Sequence, residues 1–331
     1  MGTEVYINVH REVLKMEYFI SKTDSFGYTY SIDNVVLEYI IKYHTDFTSY
    51  LHQLVEKHDL KSEYWERLNC PYCSKYQFYN NHYHVCNGIY MMVGKYSTKS
   101  DISCTWDTYP IVKLEINPNK HAKKPIFNDL LQFLKDNTGD CTLKRYDFCI
   151  DIPKKLSEIE VFGSKKEKGL YKGTRYYGQR NKDGYLKIYD KGKEQQIEDD
   201  LTRIEYTLVN SKGKNSKNGL NFQNVYILTD KKNDTTLKGT TKAVMKLYSL
   251  CMASGIDCEN IIADLDRRTR KQIEENINGY MYKPLEIDIS LHDDLLKQIK
   301  NVFGVVEQKH IIENSDGFLS CPDGFYDLPF E

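Results

Sequence analysis

Four short stretches of this chain alternate polar and apolar positions with the period of a half-buried strand. In Tyr185-Leu186-Lys187-Ile188-Tyr189 the apolar pair Leu186 and Ile188 faces one way, and Tyr185, Lys187 and Tyr189 face the other. Arg203-Ile204-Glu205-Tyr206-Thr207-Leu208 repeats the design, with Arg203, Glu205 and Thr207 on its polar face. Upstream, the polar face of Ile111–Ile116 carries Lys113 and Glu115, and that of Arg145–Ile150 carries Arg145 and Asp147. Set side by side in one sheet, these strands would gather carboxylates, cations and a tyrosine hydroxyl on a single surface. A solvated sheet face with ordinary cross-strand Lys/Glu pairs is the plain alternative.

The rest of the chain reads around this sheet. A first short strand is expected near Tyr28 to Ser31. Asp33 would then cap a helix from about Asn34 to Lys57, with Val36, Ile40, Ile41, Leu51 and Leu54 on its apolar side. Two strands should flank an Asn80-Asn81 turn, and Asn117 to Lys120 should form another turn. Ile126, Leu130, Leu131 and Leu134 predict a helix from Pro125 to about Asp136. Pro153 should end the Asp147 strand, and Asp183-Gly184 should turn a hairpin into the Tyr189 strand. Lys154 to Lys172 reads as charged surface, Glu198 to Asp200 as a solvated loop and Ser211 to Asn218 as a loop. Thr241 to Ser254 reads as a helix. A second, capped by Asp257, would run on through Arg267, Arg268, Arg270 and Lys271, so the pair is either a plain helical hairpin or a helix-turn-helix.

The fold class expected is α+β: a mainly antiparallel sheet with helices on one face, followed by a smaller helical C-terminal region. The domains would be an N-terminal extension (1–24), a main domain (25–225), the helical region (226–311) and an acidic tail (312–331).

With 331 residues the chain can bury a sizeable core. Its net charge of −1 conceals an asymmetry: residues 141–240 carry 21 Lys/Arg against 14 Asp/Glu, and residues 281–331 carry 4 against 10. A basic middle suits a polyanion. Candidate contacts to it are Lys120, Arg145, Arg175 and Arg180, with Arg267 and Arg268 on the C-terminal helix. Nine scattered cysteines fit a reducing compartment better than a disulfide framework. No stretch reaches the roughly 20 apolar residues of a membrane span. The N-terminus shows no signal-peptide core, so a cytoplasmic location is expected. Neither a Walker loop nor a GxGxxG fingerprint occurs, which argues against a nucleotide-driven motor.

Four blocks then carry a family resemblance. KLEINPNK (Lys113 to Lys120), RYDFCIDI (Arg145 to Ile152), YYGQR followed by LKIYDKxxE (within 176–194), and RIEYTL (Arg203 to Leu208) occur in one order. Together they resemble the Rep-trans family of rolling-circle replication initiators of Gram-positive plasmids, which is related to relaxases of conjugative elements and to some phage replication proteins. The resemblance covers about residues 110 to 210, and it implies a DNA-nicking domain of the HUH/replication-initiator type. It places the nucleophile at Tyr189, within Ile188-Tyr189-Asp190-Lys191, and makes Glu194 the closing residue of that block. Tyr176 and Tyr177 rank below it.

Such chemistry needs a tyrosine that forms a phosphotyrosyl ester and charge to balance the phosphate. Lys187 and Arg203 are the cations expected there. Glu115, Asp147 and Glu205 are the oxygen ligands expected for Mg²⁺ or Mn²⁺. Asp147 is preferred to Asp151, which lies roughly 13 Å further along the strand. The partners implied are DNA, as an origin hairpin or a single strand, with a host helicase and polymerase; a homodimer is left open.

One cluster departs from the family. Cys70-Pro71-Tyr72-Cys73 followed by His82-Tyr83-His84-Val85-Cys86 has three readings: a structural zinc site (Cys70, Cys73, His84, Cys86), the histidine pair of the wider HUH superfamily, or ordinary strand residues. The Rep-trans resemblance, with its carboxylate ligands, weighs against catalytic histidines.

Overall fold

A computed structural model describes residues 21–42, 47–58, 63–66, 79–86, 88–99, 106–163, 167–171, 173–209, 224–231, 239–277 and 280–306. In chain order the elements are β1 (Lys22–Thr23), β2 (Thr29–Ile41), α1 (Phe47–Lys57), β3 (Glu63–Glu66), β4 (Tyr79–Cys86), β5 (Ile89–Lys99), β6 (Trp106–Ile116), α2 (Pro118–His121), α3 (Pro125–Asn137) and β7 (Thr138–Ile152). A single 3-10 turn (Leu156–Glu158) leads to β8 (Ile159–Val161), β9 (Glu167–Tyr171), β10 (Thr174–Tyr177), β11 (Leu186–Asp190), α4 (Lys191–Gln195) and β12 (Thr202–Val209). The chain ends its described part with β13 (Val225–Lys231), α5 (Gly239–Ala253), α6 (Glu259–Ala263), α7 (Arg267–Asn276), β14 (Tyr280–Pro284) and α8 (Ile289–Phe303).

The main sheet has the order β3-β4-β5-β6-β2-β7-β12-β11-β10-β9, with β1 paired to β2, and every pairing within it is antiparallel. The α+β class expected from the pattern is thus the one observed. Alternation sorts the two faces. Leu114, Phe148, Ile150, Leu186, Ile188 and Ile204 are fully buried in one core with Phe127 and Leu130 of α3 and with Leu295, Ile299 and Phe303 of α8. Phe127 meets Phe303 edge to face at 6.1 Å, which ties the two covering helices together. The opposite face carries the charged residues.

Residues 34–41 overturn one expectation: they are strand, not helix, and only 47–57 form α1. The apolar positions of β2 fall at Tyr30, Ile32, Val35, Leu37 and Tyr39, all buried. The step of three between Ile32 and Val35 is a β-bulge, seen as a register shift between Asp33 and Val36, with Asn34 at φ +46°. That extra residue breaks the period-2 pattern and mimics a helical spacing.

Other boundaries move as well. Asn80 and Asn81 lie inside β4, and the β4–β5 connection runs through Gly88 at φ +90°. Asn117 caps the short helix α2 by accepting from the Lys120 amide, where a turn was expected. Within the expected charged surface 154–172, β8 forms an edge of a second sheet, β14-β13-β8. The expected single helix after Asp257 is two: α6, and α7 capped by Asp266. The 211–218 loop and the 312–331 tail lie outside the described residues.

The second sheet has two loyalties. Ile159, Val225 and Ile227 join the main core, while Tyr226, Leu228 and Tyr282 pack with Met245 and Leu250 of α5 and Ile273 of α7. Among the described residues, no helix is long and apolar enough to cross a membrane.

Candidate active site

Cross-strand register builds the polar face row by row. Tyr189 of β11 is the direct partner of Arg203 of β12, which in turn partners Asp151 of β7. In the next row Tyr176, Lys187, Glu205, Cys149 and Ser31 follow one another from β10 to β2. A third row aligns Thr207, Asp147 and Asp33. Residues directly opposite in antiparallel strands share a face, so these rows form one surface.

Arg203 is the most heavily bonded group on it. Its Nε and Nη2 each donate at 2.6 Å to the two carboxylate oxygens of Asp151, and its Nη1 donates at 2.7 Å to Asp33 Oδ2. A planar guanidinium suits this two-sided grip, and an ammonium does not. Asp33 Oδ1 also accepts from Asn119 Nδ2 at 2.7 Å, and Asn119 donates again to the Ile32 carbonyl at 2.9 Å. The short helix α2 is thereby fastened to the bulge of β2.

Lys187 and Glu205 form a close ion pair. Burial raises the Glu205 carboxyl; Lys187 pulls it down, and the neighbouring Asp147 and Asp33 push it up again. Burial would lower Lys187, but Glu205 and Asp147 carry it above its ordinary value. Asp147 is itself buried, and its bonds come from neutral groups: Thr207 Oγ1 at 2.6 Å and Asn34 Nδ2 at 3.2 Å. Among the described residues no Lys or Arg lies within ion-pair distance of it.

Tyr189 sits at the end of β11, just before Asp190 caps α4 by accepting from the Lys193 amide at 2.8 Å. Its half-buried ring has Lys191 Nζ 5.8 Å from the centroid. Burial pushes its hydroxyl well above the ordinary tyrosine value, and Arg203 opposes that shift. Two other tyrosines stand nearby: Tyr185, under Lys187 Nζ at 5.9 Å, stacks on Tyr176 with ring centroids 6.4 Å apart.

Glu115 lies further along the same face and accepts from Arg145 Nη2 at 3.3 Å; Arg145 Nη1 donates to Asn181 at 2.8 Å. Glu115, Asp147 and Glu205 therefore fall in different rows with different partners. Among the described residues no three His, Cys, Asp or Glu side chains converge closely enough to hold an ion. Of the three, Asp147 is the donor best suited to a hard cation, because its present partners are neutral.

No protein-family model matches the chain, and no curated protein matches it either. Among solved structures it is similar to a rolling circle replication initiator protein from Geobacillus stearothermophilus. The identity is 13%, the TM-score 0.32, and the match covers 55% of this chain and 75% of that one. A likeness this distant leaves the functional argument to the site's own geometry.

The remaining candidates scatter. Lys120 and Arg180 are exposed near the rim, and Arg267 and Arg268 are exposed on the first turn of α7. Arg175 partners Ile188 and so belongs to the other face of β10. There it donates to the Leu156 and Ile159 carbonyls at 2.6 and 2.7 Å and pairs with Glu160, stapling the 3-10 turn and β8 to the sheet. Cys70 and Cys73 lie outside the described residues. His84 and Cys86 are in β4, where the register shifts between them. Sequence reasoning missed Asp33, Asn34 and Asn119, and passed over Asp151. The available signal was an Asp-Asn pair inside a β-branched run, a turn-prone dipeptide where a strand would not otherwise carry one.

Proposed function

We propose that this chain is a replication initiator that cleaves one DNA strand through Tyr189. The observation that carries the reading is the Tyr189–Arg203 pair: direct cross-strand partners on the polar face, opposite the face that α3 and α8 cover, with the guanidinium rigidly held and the hydroxyl without a hydrogen bond among the described residues. The four sequence blocks that resemble Rep-trans initiators supply Tyr189, Lys187, Glu205, Arg203, Asp147 and Glu115 on that one face, which supports the same reading.

In this scheme the Tyr189 oxygen attacks the scissile phosphorus, the bond to the 3′ oxygen breaks, and the phosphate stays on the enzyme as a 5′-phosphotyrosyl ester. The tyrosine gives up its proton and the departing 3′ oxygen gains one, leaving a 3′-OH that primes synthesis. Arg203 and Lys187 offset the charge that develops on the phosphate oxygens. Asp147, whose partners are neutral, would anchor a divalent metal, Mg²⁺ or Mn²⁺, and Glu205 and Glu115 would join it only on leaving Lys187 and Arg145. When bound, such an ion polarises the phosphate and eases ionisation of a hydroxyl beside it. Tyr189 needs that help, because burial disfavours its anion. Lys120, Arg145, Arg180, Arg267 and Arg268 would contact the DNA backbone. Host helicase and polymerase would act on the opened strand. A relaxase of a conjugative element would use the same chemistry.

The test is direct. The protein is incubated with a pool of single-stranded oligonucleotides and Mn²⁺, and adducts that survive SDS are isolated and mapped. A 5′-linked nucleotide on the peptide containing Ile188-Tyr189-Asp190 is the expected result. Tight DNA binding with no adduct would instead favour a non-catalytic DNA-binding regulator.

A further inference from the structure

The geometry points to the bulge at Asp33-Asn34 as a working part of the cleavage centre, in which Asp33 positions Arg203 and Asn34 positions Asp147. This inference rests on the nicking reading and adds two residues to it. In an unbroken strand, neighbouring residues point to opposite faces, so one of these two side chains would lie in the apolar core. Instead Asp33 reaches Arg203 Nη1 at 2.7 Å and Asn34 reaches Asp147 Oδ2 at 3.2 Å, both on the polar face. The bulge achieves this by holding Asn34 at φ +46°, a region that asparagine enters more readily than most residues. Bulges re-aim side chains in this way beside active sites. Backbone strain of this kind persists only where its surroundings hold it.

The surroundings are specific. Asn119 of α2 clamps the bulge twice, through Asp33 Oδ1 and the Ile32 carbonyl. Asp33 then closes the third side of the Arg203 grip that Asp151 begins, leaving two of the five guanidinium N–H groups without a partner among the described residues. Of these, one is on Nη1 and one on Nη2, and each can be donated to a phosphate oxygen. Asn34 and Thr207 each bond one oxygen of Asp147, so its carboxylate is held from both sides. Both are positioning residues: neither is assigned a contact with DNA.

The experiment compares Asp33→Asn, Asp33→Glu and Asn34→Gly with the wild type in the full chain. Glycine keeps the positive φ of the bulge and removes only the amide. Single-turnover adduct formation with an oligonucleotide that the wild type cleaves, affinity for that oligonucleotide, and melting temperature are measured for each. Expected is a loss of about tenfold or more in adduct formation rate for Asp33→Asn and for Asn34→Gly. DNA affinity should hold, or rise for Asp33→Asn because one negative charge is gone, and Asp33→Glu should recover part of its loss. A structural role alone would lower melting temperature, affinity and rate together. Folded Asp33→Asn and Asn34→Gly proteins that cleave at the wild-type rate overturn this inference and leave the nicking reading intact. Should Asp33→Asn fail to fold, the Asn34→Gly rate decides. A wild type that forms no adduct with any oligonucleotide overturns the nicking reading and this inference with it.

Discussion

Tyr189 and Arg203 are direct cross-strand partners, yet the guanidinium is drawn away from the tyrosine, over β7, by Asp151 and Asp33. The hydroxyl therefore lies close enough to feel the positive charge without being bonded to it. Among the described residues it has no hydrogen-bond partner, which leaves it able to meet a phosphate. Tyr189→Phe removes one oxygen and almost no volume, so the melting temperature and DNA affinity should stay near wild type. The SDS-stable adduct should disappear. An adduct that persists in this variant, or that maps to Tyr176, Tyr177 or Tyr185, sinks the assignment.

The raised hydroxyl also sets a pH dependence. Attack by the tyrosine oxygen requires loss of its proton, and burial moves that loss above its ordinary pKa of 10.0. The single-turnover rate in saturating DNA should therefore climb steadily from pH 6 to 9 with no plateau, by up to about tenfold per unit. A rate that levels off near neutrality would mean that another group supplies the limiting ionisation.

Arg203 carries stability as well as chemistry. Its side chain is 11% exposed, and those of Asp151 and Asp33 are 15% and 17% exposed. Arg203→Ala would strand two carboxylates in a dry site, at a cost of about 3–5 kcal/mol. Arg203→Lys keeps the charge but loses the fork, so its loss should be smaller. Urea unfolding midpoints read both. Wild-type stability in Arg203→Ala would show that the carboxylates find water instead.

Much of this arrangement was legible because alternation was clean where it mattered. Leu186/Ile188 and Ile204/Tyr206/Leu208 are buried, and the charges between them share the other face. What stayed hidden depends on backbone irregularity or on long-range pairing. The bulge at Asn34 scrambles the period of β2, so a strand that brings Asp33 to the site looks helical. Arg175 sits in Thr174–Tyr177, too short a run to show which face it joins. Asp151 was set aside on distance from Asp147, a sound argument within one strand that says nothing about Arg203 on the next. The covering role of α8 is equally invisible locally, because Leu295, Ile299 and Phe303 pack on strands more than a hundred residues earlier in the chain.

Metal dependence separates the carboxylates from the histidines. Asp147→Asn and Glu115→Ala should each lower Mn²⁺-stimulated adduct formation by about a hundredfold while DNA binding persists, since backbone contacts supply most of the affinity. His82→Ala combined with His84→Ala should leave the rate near wild type. Loss of the adduct in the folded double-histidine variant would transfer the metal to that pair.

The Cys/His cluster has its own measurement. If Cys70, Cys73, His84 and Cys86 bind zinc, the purified protein should contain about one equivalent by elemental analysis, and a chelator should lower its melting temperature. Zinc-free protein with unchanged stability returns these residues to a plain structural part.

Lys113 bears on folding rather than on catalysis. It lies on β6 opposite Glu38 of β2. Burial pushes its pKa down from 10.5 to about 8; Glu115 and Glu38 resist this, and Arg145 and Lys144 add to it. The sign follows from proton counting. Between pH 8 and 10.5 the unfolded chain keeps a lysine proton that the folded chain has released, so this group makes stability rise with pH across that window. Below pH 8 both states are protonated, and the full cost of burying the charge is present. Buried thiols act in the opposite sense at high pH: burial raises Cys141 to about 12, so the folded state holds a proton that the unfolded state loses. The total curve therefore mixes several groups, but the difference between wild type and Lys113→Met isolates one. Glu115 keeps Arg145 and Glu38 keeps Lys144 in that variant, so neither carboxylate is left alone. Lys113→Met should be the more stable protein at pH 7, with its advantage shrinking as pH rises toward 10. Urea midpoints at pH 7, 8, 9 and 10 that run parallel for the two proteins would show that Lys113 keeps its ordinary pKa in the folded state.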